Sequence, residues 1–176
     1  YKRQLLALAQ DAFNNDALVQ CLELCEFVLA SEYVNSYGGR AAQLKLTTQK
    51  RLLDQGKDNA VDLNYLESAL LELANNHKID PFIQTEAILE YCSIQIKYRQ
   101  DINYAVNFLD SLIQSNTFKR QNLNRIKLLY GESLTMQGKP WKALIVYTQV
   151  DHDDGDGILG EEARFKKAQL SYYEAV

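Results

Sequence analysis

The chain has 176 residues, 47% of them hydrophobic and 24% charged, with only two prolines and eight glycines. That balance belongs to a folded, helical domain and excludes the disordered, collagenous and membrane-spanning classes. A net charge of −4 and a pI near 5.2 exclude a general affinity for nucleic acid, which needs clustered Lys and Arg to neutralise phosphates.

Almost every apolar run carries the helical period, and none alternates in the manner of a strand. In chain order the pattern predicts helices over about 2–13, 17–33, 40–55, 60–75, 81–99, 102–115, 119–137, 140–150 and 161–174. The second of these holds Cys21 and Cys25, four residues apart and so stacked on one face, which fits small buried thiols better than a disulfide or a metal site. Asp80-Pro81 marks a helix start, because aspartate caps free N–H groups and proline at the first position loses no hydrogen bond. Asp101 is a second candidate cap, ahead of the apolar stripe Ala105, Phe108, Leu109 and Leu112. Gly138 and Pro140 punctuate two further helices, the glycine supplying a left-handed turn and the proline a preset first turn. Short linkers between most of the helices predict consecutive antiparallel pairs.

The charge is unevenly spread. Residues 1–88 carry 8 basic and 12 acidic side chains, whereas residues 89–176 carry 11 of each. Within the second half Lys119, Arg120, Arg125, Lys127, Lys139 and Lys142 are opposed locally only by Glu132, which reads as a solvated helix face or as a small patch for an anionic segment. The first residue is Tyr1 and no apolar stretch has the length of a membrane span or of a signal-peptide core, so the chain reads as an excised or processed fragment.

A shift of 38 residues lays one helix pair over another. Ser93 then falls on Gly131, Ile96 on Leu134, Gln100 on Gly138, Ala105 on Ala143, Leu109 on Tyr147 and Leu112 on Val150. A further shift of 37 brings Gly131 to Ala168, and Ala9, Cys21, Cys25 and Val28 fit the same template, while the pair at 40–75 fits it poorly. Helix pairs repeated at a fixed period cannot bury their apolar faces alone and must stack into a solenoid.

These positions resemble the tetratricopeptide repeat family. In the copy beginning near Asn124, Gly131 stands at the small position of the first helix with Leu134 one turn later. Gly138 stands at the turn, Ala143 at the small position of the second helix, and Tyr147 at its aromatic position. Lys127 replaces the family's early tryptophan, the terminal proline is missing, and the spacing exceeds the family's roughly 34 residues. The segments 138–144 and 162–173 are further similar to repeats of cell-envelope proteins in Bacteroidota-type bacteria. Asn35-Ser36-Tyr37, with Ala41 and Ala42, is similar to a junction in outer-membrane assembly lipoproteins of this repeat class. The resemblance tilts the compartment toward the periplasm or envelope.

The resemblance implies an all-α fold, a right-handed α-α superhelix of about nine helices. It would be one domain over 1–176, with degenerate hairpins at 1–75, better repeats at 81–116 and 119–157 and a partial repeat at 158–176, cut from a longer array. It also implies a concave face built by the first helix of each pair. Carried over position by position, that face consists of Glu90, Lys97, Tyr98, Arg125, Glu132, Thr135, Met136, Phe165, Gln169, Tyr172 and Tyr173. Such a mixture of aromatic, basic and amide groups suits an extended peptide or a helix, although any of the tyrosines could instead pack on the next repeat. The basic and Asn positions with which one branch of the family clamps a chaperone's terminal carboxylates are not reproduced, since Leu128 and Glu132 stand there. The apolar side of the last helix, Phe165, Ala168, Leu170 and Tyr172, expects a partner helix or a neighbouring molecule. The implied function is therefore protein or peptide binding, with a structural or oligomerising segment, its groove filled by its own chain or a second copy, as the alternative.

Chemistry is not expected. His77 and His152 sit in polar linkers and belong to no nucleophilic, metalloprotease or phosphate-loop motif, so the chain predicts no catalytic residue, no cofactor and no metal site. Counted as a calcium loop, Asp151 to Glu162 places Asp153 third and Glu162 twelfth, but Gly155 offers no fifth ligand and Asp156 stands where the sixth-position glycine belongs. The segment reads instead as a solvated loop whose acids favour the next helix N-terminus.

Overall fold

The computed structural model describes residues 2–30, 36–57, 61–76 and 80–174, and among these every regular element is an α-helix, with no strand. The helices are α1 (Lys2–Asn14), α2 (Leu18–Leu29), α3 (Ser36–Asp54), α4 (Leu63–Asn75), α5 (Pro81–Lys97), α6 (Ile102–Ser115), α7 (Arg120–Met136), α8 (Pro140–Asp154) and α9 (Ile158–Glu174). Within α1–α3 and within α5–α9, helices adjacent in sequence pack on one another, as the α-α repeat class requires. The chain divides into two compact units, 1–69 and 70–176.

In the first unit α1, α2 and α3 pack mutually. Ala9, Cys21 and Cys25 are fully buried and meet Leu44 of α3, so the small residues picked out by the repeat template do let three helices approach. The Cys21 thiol lies 3.2 Å from the Thr48 hydroxyl, which itself donates to the Leu44 carbonyl at 2.7 Å. Burial, reinforced by Cys21, pushes the Cys25 thiol up to about 12, and burial does the same to Cys92; both are inert at neutral pH. The ammonium of Lys45, whose side chain is nearly buried, is held 2.9 Å from Glu26 and 3.8 Å from the Tyr65 ring centre, so its charge keeps partners on burial.

In the second unit α7 is central, packing on α5, α6, α8 and α9. Its core joins Leu128 and Leu134 to Val106 of α6, to Ala143, Tyr147 and Val150 of α8, and to Ala163 of α9. The expected stripe on α6 holds, with Ala105 and Leu109 fully buried. The Tyr91 ring meets Tyr104 and Phe108 edge-on at 6.2 and 5.6 Å, which ties α5 to α6.

A shared device closes the first helix of each pair. α1, α3, α5 and α7 are each followed by a residue in the left-handed conformation: Asp16, Gly56, Gln100 and Gly138. At three of them the same two bonds form, one from the left-handed residue to the carbonyl three back (Phe13, Leu53, Thr135) and one from the next residue to the carbonyl five back (Ala12, Leu52, Leu134), at 2.9–3.2 Å. After α5 the Asp101 N–H reaches the Gln95 carbonyl instead, at 2.9 Å. Gln100 and Gly138, equated by the 38-residue shift, thus share a backbone geometry although only one is glycine. The predicted N-caps also form, with Asp80 accepting from Phe82 N–H at 2.7 Å and Asp101 from Tyr104 N–H at 2.9 Å.

Three expectations need correction. Helix α2 ends at Leu29 and α3 begins at Ser36, both earlier than the periodicity placed them; Asn35 and Val34 of the junction lie outside the described residues. The segment Asp151–Asp154 is the last turn of α8 rather than a loop, and α9 starts at Ile158 rather than 161. Carboxylates at a helix C-terminus oppose the macrodipole, so the pattern argued against helix there. Cations from α7 and α9, remote in sequence, offset that cost. Leu170, placed on the outer side of α9 with Phe165 and Ala168, instead packs on the Tyr147 core.

Gly131 is buried against Tyr147. A Cβ at this position would run into the ring, with Cζ only 2.8 Å away, and the buried tyrosine has little room to yield. Gly131→Ala is expected to lower stability by about 1–2 kcal/mol, overpacking outweighing the gain in helix propensity. Urea unfolding measures this, and the cost should shrink in a Tyr147→Leu background. Conversely Gln100→Gly is expected to raise stability by about 0.5–1 kcal/mol, because the left-handed backbone strains a side chain there but not glycine.

Candidate functional site

The residues carried over by repeat position fall on α5, α7 and α9 and just beyond α5, where Tyr98 caps the helix. Four of them line one cavity of about 400 Å³: Glu132, Thr135 and Met136 from α7 and Gln169 from α9, with Tyr147, Lys166 and Leu170 completing the wall. A second cavity of about 220 Å³ adjoins it through Glu132 and holds Arg125 with Leu89, Ser93, Leu128, Leu129, Leu159 and Glu162. The structure therefore brings Arg125, Glu132, Thr135, Met136 and Gln169 together across α7 and its neighbours. Glu90, Lys97, Tyr98, Phe165 and Tyr172 line neither cavity. Lys97 is exposed, Glu90 and Tyr98 are half-buried, and Phe165 and Tyr172 stand 65% and 69% exposed on α9. The Tyr173 side chain lies outside the described residues, as does His77.

Two ion pairs brace this face. Arg125 of α7 donates to Glu86 of α5 and stacks 4.8 Å from the Phe82 ring centre, while Glu132 of α7 accepts from Lys166 of α9. Lys166 also lies 3.7 Å from Glu162, one turn away on its own helix. Glu86, Phe82 and Lys166 were not among the sequence candidates. Only the one-turn pair Glu162 and Lys166 was visible as local spacing, since the other partners are 34 and 39 residues apart. Asn124 is fully buried, and neither atom of its amide finds a hydrogen-bond partner in the protein; the Nη1 of Arg125 is likewise buried without one.

Tyr147 forms part of the floor of the larger cavity. Burial pushes its phenol up to about 12, with the carboxylates of Glu132 and Glu162 adding to the rise and a hydrogen bond with Thr135 opposing it. It stays neutral at neutral pH and walls the cavity.

The basic run 119–142 is not the isolated patch its sequence presents. Arg125 pairs with Glu86, Lys127 donates to Asp153 at 3.2 Å, and Glu132, its one local acid, turns to Lys166. The acidic segment is equally engaged. Asp151 accepts from Arg164 and Lys167 at 3.1 and 3.0 Å, and Asp154 accepts from the Leu159 and Gly160 N–H groups, both at 3.1 Å, capping α9. Among the described residues no group of three or more His, Cys, Asp or Glu is placed to hold a metal ion, and no helix is long and apolar enough to cross a membrane.

No family model matches the chain, and neither a curated protein nor a solved structure does. The class defined by the fold is thus the all-α helical-repeat class.

The hydrogen bond from Lys167, with the charges of Lys167 and Arg164, holds the Asp151 carboxyl below its usual range. A lowered carboxyl stabilises the fold above its unfolded value, and that contribution disappears as the pH falls through the folded one. Asp151→Asn is therefore expected to flatten the acid limb of a stability-versus-pH curve. Asp154→Ala is expected to cost about 1 kcal/mol through the lost cap, and millimolar calcium should leave the melting temperature of the parent protein unchanged.

Proposed function

We propose that this chain is a non-enzymatic protein-interaction or scaffold module that binds a peptide or a helix along α5, α7 and α9, and that its helix pairs are diverged tetratricopeptide-like repeats. The observation that carries the reading is the pair of adjoining cavities sharing Glu132, with an apolar floor, a neutral phenol and charges of both signs on the walls. Met136, 59% exposed beside the larger cavity, is a flexible apolar contact of the kind adaptable binding surfaces use. Because Arg125 and Glu132 are held in ion pairs, their side chains are fixed before a partner arrives, which lowers the ordering cost of association.

The alternative, a structural or oligomerising segment, is favoured by one feature. Ile158, Phe165 and Tyr172 lie seven residues apart on α9 and are 83%, 65% and 69% exposed, forming a stripe of the spacing that helices use to pair.

One set of variants separates the two. If the cavity face binds a partner, Met136→Glu with Gln169→Glu should reduce capture of a given protein by at least tenfold, about 1.4 kcal/mol or more, while the helical circular dichroism is unchanged. If α9 serves self-association, light scattering should show a dimer that Phe165→Glu with Tyr172→Glu converts to a monomer, and the cavity variants should have no effect.

A further inference from the structure

A cavity larger than either of the two above lies within residues 1–69, where α1 and α3 form an open groove of about 830 Å³. Arg3, Leu6, Ala7, Gln10 and Phe13 line it from α1, and Arg40, Gln43, Leu44 and Thr47 from α3. Leu44 is buried and Leu6 and Phe13 are half-buried in the core beneath, so the floor is apolar and fixed. The lining holds two guanidinium groups and no carboxylate, in a chain whose net charge is −4.

Two other cations of this unit are matched. Arg51 is 3.0 Å from Asp16 and 5.1 Å from the Phe13 ring centre, and Lys45 is held by Glu26 and Tyr65. Arg3 and Arg40 have no ion pair or hydrogen bond to any described residue, and both belong to the early turns of their helices, where the macrodipole adds positive potential. Asp16, three residues beyond Phe13, is already taken by Arg51 and by Gln55, whose amide donates to it at 3.0 Å.

We infer that this groove binds a short extended segment of another protein, with two carboxylate side chains at one end followed by apolar side chains. The span from Arg3 to Phe13 on a helix is about 15 Å, the length of four or five extended residues. The carboxylates meet Arg3 and Arg40, bidentate pairing being the geometry a guanidinium favours. The apolar side chains meet Leu6, Ala7, Leu44 and the edge of Phe13, and the exposed amide of Gln43 is open to the segment's backbone. Two arginines are too few to hold a nucleic acid, which takes a longer track of cations.

The test uses the whole chain and fluorescence polarisation with a small set of labelled peptides. Each has the core Glu-Glu followed by two residues drawn from Leu, Ile, Phe and Tyr, and each has Gln-Gln and Lys-Lys counterparts. At least one acidic peptide is expected to bind tenfold or more tightly than its Gln-Gln counterpart, and more weakly as salt rises. Arg3→Glu with Arg40→Glu should reverse the preference toward the Lys-Lys peptide, and Ala7→Trp should abolish binding of every peptide by filling the groove. All three positions are exposed apart from their share of the groove, and circular dichroism verifies that the variants fold. Equal binding of acidic and neutral peptides, no binding by any of them at millimolar concentration, indifference to the arginine variants, or displacement by a single-stranded oligonucleotide at lower concentration than by unlabelled peptide each overturns the inference. Because every residue tested lies within 1–69, either result leaves the reading of α5, α7 and α9 to its own experiment.

Discussion

The structure depends on how a helix is stopped and turned. The last carbonyls of a helix have no partner within it, and leaving them unsatisfied beside a packed core is costly. Here the first helix of each pair ends in one left-handed residue, at Asp16, Gly56, Gln100 and Gly138, whose neighbouring N–H groups return to those carbonyls. The following helix can then begin within a few residues and lie against the one before, as α2 does on α1, α6 on α5 and α8 on α7. Close packing of that kind admits only small residues at the crossing. Ala9, Ala105, Gly131 and Ala143 meet this demand, with Tyr147 filling the space beside Gly131.

Charges form a second layer of order. α7 is joined to α5 through Arg125 and Glu86, to α8 through Lys127 and Asp153, and to α9 through Glu132 and Lys166. Partly exposed pairs of this type contribute little each to stability. Their larger effect is on position, since they fix the side chains that wall the two cavities. The acids at the end of α8 show the same economy: Asp151 and Asp153 take cations from α9 and α7, and Asp154 caps α9, so a stretch resembling a calcium loop in composition serves as a helix junction.

Much of this was legible locally. Helical period, the caps Asp80 and Asp101, the turn at Gly138 and the small-on-small register between residues 93–112 and 131–150 each involve neighbours within one or two turns, or one repeat. The limits appeared where the partner is distant. Gln100 does not look like a turn residue, but its backbone takes the left-handed conformation that Gly138 takes, closed by a different bond, from Asp101 N–H to the Gln95 carbonyl. Leu170 and Phe165 look equivalent as apolar residues on α9, and only the position of Tyr147 decides that Leu170 faces inward. Among the carried-over binding positions, Arg125, Glu132, Thr135, Met136 and Gln169 line the adjoining cavities, whereas Phe165 and Tyr172, close to Gln169 on the same helix, stand exposed outside both.

By itself the sequence determined the helical class, the order of the helices and most of their boundaries, because backbone hydrogen bonding, capping and amphipathic period are short-range properties carried by a few consecutive residues. Only the tertiary structure decided which charges neutralise one another, that the run 151–154 is helical, and that a groove with two unmatched arginines opens between α1 and α3. The physical reason is the same in each case. Coulombic pairing and cavity shape depend on distances between residues from 13 to 39 positions apart, and no local pattern encodes those until the helices have packed.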